Sequence, residues 1–201
     1  MVRNTQPKSI KTTLPLKTQV EELTTVLRLA RASFDIWWYF TNKKFVDANR
    51  ELIDELSQFF YFNNEANFCS FVTRICILFD KTKSAQDLES VGKIVFSATP
   101  KDAVQLMNFK TLLLNAQKSA DKLLVLRHNV MAHKSRFSRF SEVYRTAGIT
   151  PNEMLALTSI CLEAINILRE QLAMYEVMYE NDFLGNDLKA LAEIIRSSVA
   201  S

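Results

Sequence analysis

Apolar residues recur three and four positions apart along most of this chain, and short polar stretches separate the runs. That is the period of helices with one buried face. Thr18-Gln19-Val20-Glu21 has the spacing of a capping box, and Val20, Leu23, Leu27, Ala30, Phe34 and Trp37 follow it. Together they predict a helix to about Phe40. Leu52, Ile53, Leu56, Phe59 and Phe60 predict a second helix from about Val46 to Phe62. Asn63-Asn64 predicts a break, and Phe68, Phe71, Val72, Ile75, Cys76 and Phe79 a third helix from Glu65 to Asp80. Ser84-Ala85-Gln86-Asp87 starts a short fourth, to about Phe96. Thr99-Pro100 supplies an N-cap and a first-position proline for a long helix reaching Leu126, with a break near Ala116. Thr150-Pro151-Asn152-Glu153 is the clearest start, opening a helix to about Tyr179 that faces Met154, Leu157, Ile160, Cys161, Ala164, Ile165 and Leu168 inward. Gly185 separates a last helix, Asn186 to Ser198.

Composition narrows this pattern to a fold class. Three glycines and four prolines in 201 residues are too few for a chain rich in strands and turns, and 48% hydrophobic residues suffice for a core. The expectation is all-α: a single domain over residues 16–201, an antiparallel up-and-down helical bundle with extra flanking helices. Residues 1–15, polar and basic with Pro7, read as a disordered tail. No signal peptide and no membrane span is apparent, which predicts a soluble, cytoplasmic protein. Cys69, Cys76 and Cys161 are odd in number and lack metal-ligand spacing, so they read as reduced core thiols, with no metal and no cofactor expected.

Aromatic residues crowd into the first hairpin. Phe34, Trp37, Trp38, Tyr39, Phe40, Phe45, Phe59, Phe60, Tyr61 and Phe62 are ten of the chain's 21. A run such as Trp37-Trp38-Tyr39-Phe40 cannot point at one core from a helix. Part of it must meet another element, a second subunit or a stacked base.

The net charge of +3 is small, but its distribution is uneven. Arg127, Lys134, Arg136, Arg139 and Arg145 face only Glu142 over residues 127–145, which is +4, so the remainder sums to −1. That segment is a solvated basic loop or a surface for a polyanion. It also holds both histidines, His128 and His133, beside Arg127 and Asn129. An arginine binds phosphate through parallel charge-assisted hydrogen bonds, and a histidine exchanges protons near neutrality. Six positions of continuous helix turn about 240° and rise about 9 Å, so Arg127 and His133 would not share a face. The helix must end or turn between them, or a second chain must complete the pair.

With Arg127, polar His128 and Asn129, and Ala132-His133-Lys134 following an amphipathic helix, the sequence resembles the HEPN superfamily. The signature of that superfamily is an arginine, a polar residue and a histidine after four to six intervening positions. Leu78-Phe79-Asp80 and Asp87-Leu88-Glu89 stand where the abortive-infection (Abi, U-type) branch has its mid-chain boundary and following helix. The likeness covers about Leu23 to Tyr179. It implies a metal-independent endoribonuclease, a homodimer placing two motifs in one cleft, and a role in phage defence or as a toxin. RNA brings its own nucleophile, the 2′-hydroxyl, so the protein need only move protons and hold the phosphoryl charge. His133 is then the acid or base and Arg127 the charge stabiliser. His128 or Asn129 orients the phosphate or supplies a second proton-transfer group, and Lys134, Arg136 and Arg139 bind the flanking backbone. Arg74, inside an apolar run, is either a supporting residue for that cluster or an ion-paired side chain snorkelling to the surface. Two alternatives stay open: a non-catalytic dimerisation, RNA- or nucleotide-binding module of the same fold, and the partner of a nucleotidyltransferase-type antitoxin.

Overall fold

The computed structural model describes residues 14–81, 86–99, 102–128, 147–178 and 184–199. Helices account for nearly all of them, and no strand occurs among the described residues. The order is α1 (Leu16–Thr41), α2 (Lys43–Ala48), α3 (Arg50–Glu55), α4 (Ser57–Phe79), α5 (Leu88–Ala98), α6 (Ala103–Leu126), α7 (Pro151–Gln171) and α8 (Gly185–Val199). The all-α expectation therefore holds. The N-terminal stretch read as a tail lies outside the described residues up to position 13, and Leu14 and Pro15 lead directly into α1.

The central pair is α1 and α4. Val20, Leu23, Leu27, Ala30, Phe34 and Trp37 are all buried, as their spacing requires. The rings of Phe34 and Phe71 lie 5.4 Å apart and those of Trp37 and Phe68 5.0 Å, so rising positions on α1 meet falling positions on α4. The two run antiparallel. A second antiparallel pair is α6 with α7, fixed at one end by Gln105 to Glu170 (2.8 Å) and at the other by Lys122 to Glu153 (2.6 Å). Both pairs share one core, with α5 packed against it through Leu88, Val91, Val95 and Phe96. Each fully buried large side chain there adds about 1.5–3 kcal/mol relative to exposure. A smaller cluster of Phe40, Phe45, Leu52 and Phe60 gathers α2, α3 and α8 around the far end of α1, where Leu188 and Ala192 complete it.

Several boundaries differ from the sequence reading. Thr18 and Glu21 form no capping box, because α1 starts earlier, at Leu16 behind Pro15. The helix expected over Val46 to Phe62 is α2, α3 and the start of α4. Asn42 caps α2 by accepting from the Phe45 N–H at 3.0 Å, and the Asn49 amide donates to the Phe45 carbonyl at 2.7 Å. Asn63-Asn64 breaks nothing. It lies inside α4, where Asn67 donates to the Asn63 carbonyl. Asp87, the last residue of the stretch expected to open it, caps α5, and Asp102 rather than Thr99 caps α6, accepting from Val104 and Gln105 N–H. Thr99 instead ends α5, and α6 passes through Ala116 unbroken. Thr150 and Glu153 form the predicted reciprocal box.

The helix that box opens ends at Gln171, well before Tyr179. Met174 donates to Arg169 and Ala173 to Glu170, closing the turn with Ala173 at φ 50°. The Asn166 side chain then exchanges two hydrogen bonds with Val177, drawing residues 174–178 back along α7.

Candidate functional site

The C-terminal ends of α4 and α6 meet, and Arg127 and Asp80 join them. Arg127 follows the last residue of α6 and donates its backbone N–H to the Leu123 and Leu124 carbonyls, with the chain widened into a π-turn at 127–128. Its Nη1 lies 3.2 Å from the Asp80 Oδ2, and the two side chains are 34% and 22% exposed. Both partners occupy helix ends with opposite consequences. A cation is favoured beside the unsatisfied carbonyls of a helix C-terminus, and a carboxylate there is disfavoured unless a cation neutralises it. Asp80 terminates α4, so Arg127 supplies that neutralisation while its guanidinium stays partly open to solvent.

Cys76, one turn before Asp80, lies within their field. Burial pushes its thiol up to about 12, against a downward pull from Arg127, and Asp80 adds to the rise. It is an inert core thiol at neutral pH, as is Cys161, which burial alone also pushes up to about 12.

His128 is exposed at the end of α6 beside Arg127. Asn129, His133, Lys134, Arg136 and Arg139 lie outside the described residues. On the far side of that stretch, Ala147 and Ile149 are buried in the main core. Between them Gly148 adopts φ 59°, a conformation that favours glycine, and its carbonyl accepts from the Lys122 Nζ at 2.8 Å. The same ammonium reaches Glu153 Oε1 at 2.6 Å. That contact, the Thr150 N–H and the Thr150 hydroxyl hold the Glu153 carboxyl down at about 2. The described residues on either side of that stretch are thus held in place, Arg127 by Asp80 before it and Ala147 to Ile149 by Lys122 and the core after it.

Arg74 does not join this group. Its guanidinium donates to the Ser70 hydroxyl, which pairs with Ser33 on α1 at 2.9 Å. Asp80, Lys122 and Glu153 are residues to which the sequence reading gave no role at the site. A signal for Asp80 was present, because an acidic residue ending an apolar helix calls for a cation nearby. Among the described residues no group of three or more His, Cys, Asp or Glu side chains could hold a metal ion, and no helix is long and apolar enough to cross a membrane.

Chemically, the described part of the site presents one guanidinium, oriented from below by a carboxylate, with an exposed imidazole next in the chain. Arg127 spends Nη1 on Asp80, and an arginine carries five N–H donors in a planar fork. A phosphate approaching the exposed edge would meet donors already aimed. Comparison of the chain with protein-family models, with curated proteins and with solved structures returned no match.

Proposed function

We propose that the protein is a metal-independent endoribonuclease of the HEPN type, cleaving RNA by attack of the 2′-hydroxyl on the adjacent phosphate. The observation that carries this reading is the position of Arg127. It stands where α6 ends, partly exposed and held by Asp80, at the entry to the segment that contains Asn129, His133 and the basic residues Lys134, Arg136 and Arg139. Continuous helix would put Arg127 and His133 on different faces, so the backbone must turn between them or a second chain must complete the pair. Arg127 would hold the phosphoryl charge and His133 would transfer the proton, with His128 or Asn129 orienting the phosphate.

The reading includes a homodimer that brings two such sites together, and a place in phage defence or beside an antitoxin. Support for self-association, separate from the shared cleft, comes from the first hairpin at the opposite end of α4 from Asp80, where Trp38, Phe59, Tyr61 and Phe62 remain exposed while Trp37, Phe40 and Phe60 are buried. A second subunit that buried them would remove the apolar surface from water.

Purified protein incubated with single-stranded RNA in excess chelator tests the chemistry, beside the Arg127→Ala and His133→Ala variants. Cleavage in wild type that survives chelation, disappears in both folded variants and leaves 2′,3′-cyclic phosphate ends is the expected result. Equal activity in all three proteins would refute the site. Sedimentation as a monomer at micromolar concentration would refute the shared cleft.

A further inference from the structure

A cleft of about 390 Å³ opens between α5 and α6. Its walls are Leu106, Phe109, Leu113 and Leu114, and its rim carries Lys81, Lys93, Lys110 and Glu89. The size is within the range that binds small organic groups. Two features make it more than a dent in the surface. Gly92 on α5 lets that helix lie directly on the Phe109 ring, since a Cβ there would sit 2.4 Å from Cε1 and Cζ. Helix α5 and the Phe109 ring therefore close directly against each other where they line the cleft. Glu89 also accepts from Lys93 at 2.7 Å and Lys81 at 3.2 Å, fixing two of the three ammonium groups along one rim. Hydrogen bonds from Lys93 and then Lys81 lower the Glu89 pKa, so it stays ionised.

The rim of the cleft is linked to the Arg127 site through the chain. Lys81 is the next residue after Asp80, the carboxylate that holds Arg127, so one residue of backbone, about 3.8 Å between Cα atoms, joins the rim to the ion pair. Phe109 and Arg127 are five helical turns apart on the same side of α6, roughly 27 Å. Lys110, Lys93 and Lys81 thus form a series of cations around an apolar slot, with Arg127 farther along α6. A ligand with a single anionic head would use one end of that series. A chain with regularly spaced phosphates and flat apolar side groups would use all of it.

We infer that the α5–α6 cleft receives an unpaired base of single-stranded RNA, with Lys81, Lys93 and Lys110 on the flanking phosphates. This rests on the ribonuclease reading and adds to it a preference for unpaired over duplex RNA, because a base in a helix cannot leave its stack without cost.

The test measures binding separately from cleavage. Fluorescence anisotropy of an end-labelled 12-nucleotide RNA, single-stranded or annealed to its complement, is followed in chelator with the His133→Ala protein. Single-stranded RNA should bind at least tenfold tighter than duplex. In that background Leu114→Glu, at a position 76% exposed and so harmless to the core, should weaken single-strand binding about tenfold. Lys93→Ala with Lys110→Ala should do the same and reduce the salt slope by about two. Unchanged affinity in both cleft variants, equal affinity for duplex, or no RNA binding at all would overturn the inference. Chelator-resistant cleavage by wild type, lost in Arg127→Ala, together with normal RNA binding by the cleft variants would reject the cleft and keep the nuclease. Weakened binding with no cleavage by any form would keep the cleft and reject the nuclease.

Discussion

Breaking the Arg127–Asp80 pair separates a structural role for Arg127 from a chemical one, because the expected stability cost is small and calculable. At 3.2 Å the bare attraction between full charges is on the order of 1 kcal/mol in water and several at a protein surface. Solvent screening and side-chain entropy offset most of it, and Arg127 is about one-third exposed, so the net coupling should be about 0.5–1 kcal/mol. For a chain of this length that is about 1–4 °C in Tm. The assay is a double-mutant cycle of Arg127→Ala and Asp80→Ala, read once by thermal melting and once by cleavage. All three variants should fold, with melting losses that are subadditive by the coupling. Arg127→Ala should lower the cleavage rate about 10²–10³-fold, the usual loss for one donor to a developing oxyanion. Asp80→Ala should lower it about tenfold, and the double variant should match Arg127→Ala, since Asp80 acts by orienting a group no longer present. A coupling above about 2 kcal/mol would make the pair a strut and the activity loss a folding effect. Additive activity losses would mean that Asp80 works independently of Arg127.

Three further outcomes follow from other parts of the molecule. At pH 8 a thiol held near 12 is about 10⁻⁴ thiolate, so an aromatic disulfide reagent should modify half-buried Cys69 well before Cys76 or Cys161, and all three after denaturation; equal native rates would contradict the core packing. Gly92→Ala must displace the Phe109 ring, itself packed 5.7 Å from Phe96, and should cost about 1–3 kcal/mol by thermal or denaturant unfolding; no loss would show that α5 and α6 are not in contact there. The carboxyl of Glu153, held down at about 2, contributes stability that is fully present above the ordinary value of 4.5 and lost as pH falls from there towards 2. Wild type should therefore lose more Tm than Glu153→Gln across that window, and parallel curves would deny the Lys122 and Thr150 contacts.

How much of this was legible depended on whether a signal was local. The inward face of α1 was readable because Val20 to Trp37 keep one helical period over five turns, and the start of α7 because Thr150, Pro151 and Glu153 satisfy each other within four residues. The early helices were misjudged where asparagine has two uses. Asn42 and Asn49 bond backbone groups at helix ends, whereas Asn63 and Asn67 pair along the interior of α4. The end of α7 carried no glycine to mark it. It is set by tertiary contacts of Arg169, which reaches the Tyr175 carbonyl at 2.6 Å and Glu21 on α1 at 2.9 Å. At the candidate site, Arg127 was singled out from its neighbours in sequence, but its partner Asp80 lies 47 positions away and Glu153 is 31 from Lys122. Pairings at such separations depend on how helices stack, which periodicity does not encode.

The ion pair also divides the work that a polyanion would require of this protein. Asp80 cancels the charge of Arg127, and Glu89 cancels one of its two neighbouring lysines, so Arg127, Lys81 and Lys93 together leave a net charge of only +1 among these five side chains. That is only a part of what drawing in RNA requires at physiological ionic strength, where affinity grows with the number of phosphates neutralised. Lys134, Arg136, Arg139 and Arg145 hold the rest of the local excess. Neutralising Arg136 and Arg139 together should therefore weaken binding to every RNA and flatten its salt dependence by about two, while the rate at saturating RNA changes little. Removing Arg127 should do the reverse, lowering the saturated rate with little effect on the salt slope. If the two sets of variants gave the same kinetic pattern, attraction and chemistry would not be separate tasks, and the assignment of Arg127 to the reacting phosphate would fail.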